Sequence, residues 1–175
     1  MPLSVGMRRL LWSVVVLFAL CGAALAAFRP YHVSTGSMAD TIRPGDYILV
    51  QRFGLPALER GSVVTIRQPD NKSHFPIKRV VGVPGDVVEM RAKVLYVNGA
   101  QAAEPYVKHI DGLIDARRDN IAPVRVPPGK YYVLGDNRDN SLDSRYFGVV
   151  DAGDVIGRPR LIYRDASGYT LRRIH

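Results

Sequence analysis

The stretch that most constrains this chain is its apolar opening. From Leu10 to Phe28 only Ser13, Cys21 and Gly22 interrupt a run of apolar side chains, close to the roughly 20 residues a helix needs to cross a bilayer. The run reads as a membrane anchor. A cleavable leader is the rival, because Ala24-Leu25-Ala26 has the small-x-small form of a cleavage site. The apolar run exceeds the roughly 7–15 residues of a usual leader's apolar core, which favours the anchor. Arg8 and Arg9 precede it, and such charges keep a terminus in the cytoplasm. Arg29 weakens that asymmetry without reversing it. Residues 1–29 are then a cytoplasmic tip and anchor, and residues 30–175 an extracytoplasmic domain whose Ser37 stays within about ten residues of the membrane.

After Pro30 the texture changes to short β-like runs between Gly/Pro turns. The expected strands are Tyr47–Gln51, Ser62–Arg67, Phe75–Val83, Val87–Met90, Val94–Val97, Lys130–Leu134 and Val155–Tyr163. Pro44-Gly45-Asp46, Pro84-Gly85-Asp86 and Pro128-Gly129-Lys130 are turn signals, each before an apolar run. Asn98-Gly99 is a hairpin signal. The fold class is therefore mostly β, with curled antiparallel sheets. Residues from about 99 to 127 are polar and weakly patterned, and read as a reduced insert.

Charge narrows the partners. There are 24 Lys+Arg against 16 Asp+Glu, a formal +8. That balance suits nucleic acid or an anionic membrane face. The basic residues are dispersed apart from Arg158, Arg160, Arg164, Arg172 and Arg173, and no aromatic-basic RNA motif is present. Membrane lipid, not nucleic acid, is the expected partner. The single cysteine, Cys21, excludes an intramolecular disulfide, and the four histidines lack ligand spacing. No metal and no cofactor is expected.

Three stretches carry chemistry. In Val33-Ser34-Thr35-Gly36-Ser37-Met38-Ala39-Asp40-Thr41, hydroxyl residues flank a glycine that permits a tight turn. Ser37 would present its Oγ there, as a weak nucleophile until a base takes its proton; a plain polar loop is the other reading. In Phe75-Pro76-Ile77-Lys78-Arg79-Val80-Val81-Gly82, two adjacent cations interrupt an apolar strand. Alternation sends them to opposite faces. A desolvated lysine loses its proton more readily and becomes a base, which arginine cannot. No acidic residue adjoins Lys78 in sequence. An edge strand protected by charge would look the same. The third stretch, Gly135-Asp136-Asn137-Arg138-Asp139-Asn140-Ser141-Leu142-Asp143-Ser144-Arg145, is dense in Asp, Asn, Ser and Arg, and can form a buried, mutually satisfied network. It is not an EF-hand, since Arg138 occupies a ligand position.

In this order the three stretches resemble the boxes of the bacterial type I signal peptidases, a Ser-Lys protease family (S26). The likeness covers the chain from anchor to third box, apart from about 99–127. It implies the family's mostly-β catalytic core and removal of signal peptides from exported preproteins at the inner membrane. Ser37 is then the nucleophile and Lys78 the general base. The Thr35 hydroxyl and the Ser37 N–H form the oxyanion hole. Ser141 orients the lysine, and Asp143 with Arg145 supports it. Val33, Met38 and Ile77, with Tyr31, line pockets for small side chains at the first and third positions before the cut. Ser34 and Asp40 stand where the family pattern has proline. A specialised pilin-maturation or conjugative peptidase of the same family, and an inactive membrane-anchored binding module, are the alternatives.

Overall fold

A computed structural model describes residues 5–175; the side chains of residues 20, 21 and 23–25 lie outside the described set. The chain opens with α1 (Val5–Ala27) and passes without a linker into β1 (Phe28–His32). Leu10, Trp12 and Phe18 are among the many exposed apolar side chains of α1. Among the described residues no helix is long and apolar enough to cross a membrane. Cys21 and most of Ala24-Leu25-Ala26 fall on the undescribed side chains, so the expected anchor rests on the sequence.

The remaining elements are β2 (Tyr47–Gln51), β3 (Val63–Ile66), β4 (Ile77–Gly82), β5 (Val87–Arg91), β6 (Val94–Val97), β7 (Ala100–Gln101), β8 (Ile121–Arg125), β9 (Lys130–Leu134), the short helix α2 (Ser144–Phe147), β10 (Val150–Asp151), β11 (Val155–Asp165) and β12 (Gly168–Arg173). They form two antiparallel sheets. One has the order β1-β2-β11-β3-β4-β9-β10, with β12 added on β11; the other has the order β7-β6-β5-β8. β11 curls the larger sheet. Its first residues pair with β3 and its later ones with β2 and β12, with register shifts at both passages. Irregular pairing of this kind bends a strand and increases its twist.

Local chemistry explains the turns. Gly45 and Gly85 adopt φ of 92° and 93°, a region that strongly favours glycine. In both turns the following aspartate accepts from the N–H three residues earlier: Asp46 from Arg43 at 2.8 Å, Asp86 from Val83 at 2.9 Å. Asn98 and Gly99 both have positive φ and join β6 to β7, as a two-residue hairpin of this composition requires.

Three apolar clusters form the core. Val33, Met38, Ile42, Ile48, Val50, Val63 and Ile162 lie beneath the Ser37 loop. Val80 and Val133 belong to a second cluster, Val81 and Leu134 to a third. β4 therefore buries both faces, which is why it reads as a continuous apolar run. It sits between β3 and β9, so the charged-edge reading of Lys78 and Arg79 fails. The segment expected to be an unpatterned insert contributes β8, which pairs with β5.

Candidate active site

The Ser37 loop rests on the first core cluster and is closed from above by the third stretch. Asn137 makes two of the ties: its N–H donates to the Ser37 carbonyl at 3.1 Å and its side-chain amide to the Gly36 carbonyl at 3.1 Å. Thr41 Oγ1 donates to Asp136 Oδ2 at 2.6 Å. Gly135 occupies the tightest spot. A Cβ there would come closer than 3.0 Å to Ser141 Oγ and to the Ser37 carbonyl oxygen, so only a glycine lets these backbones approach.

Lys78 and Arg79 are both buried, at 2% and 3% exposure, and their partners differ. Lys78 Nζ donates to Ser141 Oγ at 3.0 Å. Arg79 forms a two-pronged pair with Asp136 at 2.8 and 2.7 Å, donates to the Gly61 carbonyl at 2.8 Å and stacks on Tyr106, 3.8 Å from the ring centre. Burial pushes the Lys78 amine down to about 8, partly offset by the negative charges of Asp143 and Asp136. The expectation from sequence neighbours that no acid opposes the desolvation is corrected here. The two carboxylates arrive from another part of the chain, and burial outweighs them.

Asp143 and Arg145 form a buried pair, with both guanidinium contacts at 2.8 Å. Asp143 also accepts from the Gly135 N–H at 3.0 Å and caps α2 through the Arg145 N–H. Burial alone would raise the Asp143 carboxyl, but the Arg145 guanidinium and these bonds hold it below its ordinary value. Ser144 Oγ accepts from the Val133 N–H at 2.9 Å, which fastens α2 to β9.

Two cavities meet at Ser37. The smaller, about 60 Å³, is bordered by Tyr31, Val33, Thr35, Met38 and Ile77. The larger, about 330 Å³, contains Thr35, Ser37 and Lys78 together. The residues singled out from sequence thus converge on one place. Val33 and Met38 are buried in the core below and form the floor of the smaller cavity. Tyr31 and Ile77 are only partly buried and offer it more surface. The hydroxyls of Thr35 and Ser37 have no hydrogen-bond partner among the described residues. Sequence reasoning gave no individual role to Asp136, Asn137 or Arg79. The available signal was the polar density of the third stretch, which pointed to a network without naming its bonds.

The arrangement supplies a hydroxyl, a buried amine with lowered proton affinity and unoccupied donors beside them, which is the equipment for acyl transfer. Comparison with known proteins agrees. The model of the family described as "Signal peptidase, peptidase S26" matches residues 7–164. Signal peptidase I of Bacillus amyloliquefaciens is 35% identical over 162 residues, covering 87% of this chain and 83% of that protein. Signal peptidase IB of Staphylococcus aureus is 39% identical over 143 residues, 74% of each. A crystal structure of a signal peptidase I from Enterococcus faecalis V583 matches with a TM-score of 0.49 and 31% identity, over 60% of this chain and 98% of that one.

Proposed function

The chain belongs to the signal peptidases of the S26 family, and on that premise we propose that it removes signal peptides from exported precursors with a Ser37–Lys78 dyad. One observation carries the residue assignment: a buried lysine with its amine lowered to about 8 opens onto the same cavity as Ser37. Neutral Lys78 takes the Ser37 proton as Oγ attacks the scissile carbonyl. The oxyanion is met by the Ser37 N–H and the Thr35 hydroxyl, donors already aimed at the developing charge. Collapse expels the amine, which takes its proton from the Lys78 ammonium. Water, deprotonated by the same amine, then releases the acyl half from Ser37. Ser141 fixes the direction of the amine, and the Asp143–Arg145 pair holds Ser141's loop.

The smaller cavity has room for about two waters at roughly 30 Å³ each. That suits small side chains at the first and third positions before the cut, which an extended substrate presents to one face. Residues 10–28 anchor the chain once across the inner membrane, with Arg8 and Arg9 cytoplasmic, the catalytic domain outside and lipid as its neighbour. The relatives matched over most of the chain bear signal peptidase names, which favours this reading over a specialised conjugative peptidase or an inactive binder.

The test uses the full chain in detergent with a preprotein. Wild type should cleave once, after a small residue. Ser37→Ala and Lys78→Arg should not cleave, the latter because a guanidinium keeps its proton. Cleavage by folded Ser37→Ala protein would sink the assignment.

A further inference from the structure

Only one of the two cavities at Ser37 contains Lys78. In acyl transfer the base that takes the nucleophile's proton later gives it to the leaving nitrogen. The departing amine must therefore pass the Lys78 ammonium. It follows that the new N-terminus leaves through the larger cavity while the acyl half occupies the smaller. At about 330 Å³, the exit cavity holds on the order of ten water volumes, room for a whole side chain.

Its walls carry free polar groups. His74 stands on the border between the two cavities and lines both, while Asn140 lines the larger one alone; neither side chain has a hydrogen-bond partner among the described residues. His74 is nonetheless held in place by its backbone, whose N–H donates to the Asn71 carbonyl at 2.9 Å and whose carbonyl accepts from Gln68 at 3.1 Å. Gln68, 6% exposed, commits its amide to Asp70 at 2.6 Å. Pro76 and Leu142 provide apolar surface.

We propose that this cavity binds the side chain of the first residue after the cut, and that His74 and Asn140 make it select an uncharged hydrogen-bonding side chain such as glutamine or asparagine. The proposal rests on the Ser37–Lys78 reading. Charged side chains are disfavoured for opposite reasons. A carboxylate would join Asp143 and Asp136 in stabilising the Lys78 ammonium and so weaken the base. A cation would face that ammonium, with Arg145 behind it, after proton transfer.

The experiment measures kcat/KM of the detergent-solubilised full chain on four signal-sequence peptides. They are identical except for Gln, Leu, Glu or Lys immediately after the cut. Gln should exceed Leu by roughly three- to tenfold, the scale of one or two neutral hydrogen bonds, and should exceed Glu and Lys as well. His74→Ala and Asn140→Ala should bring the Gln:Leu ratio toward one, and His74→Gln should restore much of it. The ratio is taken within each variant, so a general loss of folding or catalysis cancels. A ratio near one in wild type, or one unmoved by both alanine variants, overturns the selectivity while leaving the dyad standing. Failure of wild type to cleave any of the peptides overturns both.

Discussion

With Lys78 as the proposed base, a single amine sets the pH behaviour of this enzyme. Burial lowers Lys78 to about 8, so kcat/KM should rise about tenfold per pH unit below that point and flatten above it, since this parameter reports the free enzyme's base. A rise continuing to the ordinary lysine value of about 10.4 would mean that the amine is solvated. The same shift costs stability. The unfolded chain holds the proton more tightly than the folded one, so stability increases with pH between about 8 and 10.5, and the full penalty applies below about 8. The gap corresponds to roughly 3 kcal/mol. Lys78→Met removes it, at a cost of about 1 kcal/mol for Ser141's lost bond. This variant should therefore melt several degrees higher than wild type at pH 7, with the difference closing by pH 10. Equal melting temperatures across that range would refute a desolvated Lys78.

At the scale of elements, the loop from Gly135 to Ser144 decides whether the site exists. It closes over the Ser37 loop through Asn137, braces the lysine through Ser141 and anchors itself through Asp143 and α2. Gly135→Ala should force Ser37 and Ser141 apart, because the added carbon meets backbone on one side. A displacement near 1 Å lowers rates by up to about 100-fold, and overpacking of this kind costs about 1–3 kcal/mol. Wild-type kcat with an unchanged melting temperature would show that the loop yields freely. This region was only half legible beforehand. The residue types announced a buried network, but its partners are about 60 to 100 positions apart in sequence: Lys78 with Ser141, Arg79 with Asp136, Asn137 with Gly36. Strands such as β2, β6 and β9 were legible from their apolar runs and turn residues. β1, β8 and β12 were not, because Pro30, Pro123 and the exposed β12 residues leave no clear alternation; they are strands through the neighbours they pair with.

For the molecule as a whole, the decisive feature is the join between α1 and the sheet. α1 ends at Ala27, and Phe28 is already paired with Gln51. With no slack there, the body of the domain, and Ser37 with it, stays near the membrane face if residues 10–28 span the bilayer. Ser37 is the tenth residue after Ala27, at most about 35 Å of extended chain, and β1's pairing shortens that reach. Reporter fusions after Ala26 and at His175 should place the N-terminus in the cytoplasm and the domain outside; cytoplasmic activity at His175 would reverse the orientation. The tether itself can be tested by inserting about ten Gly/Ser residues between Ala27 and Phe28. A flexible insert of that length adds a root-mean-square reach of roughly 15–20 Å and lowers the effective concentration of the site at the membrane. Processing of a membrane-embedded preprotein should then slow, while cleavage of a soluble peptide keeps its wild-type rate. Equal slowing of both substrates would locate the damage in the fold, and slowing of neither would mean that the anchor supplies residence at the membrane but not the height of the site above it.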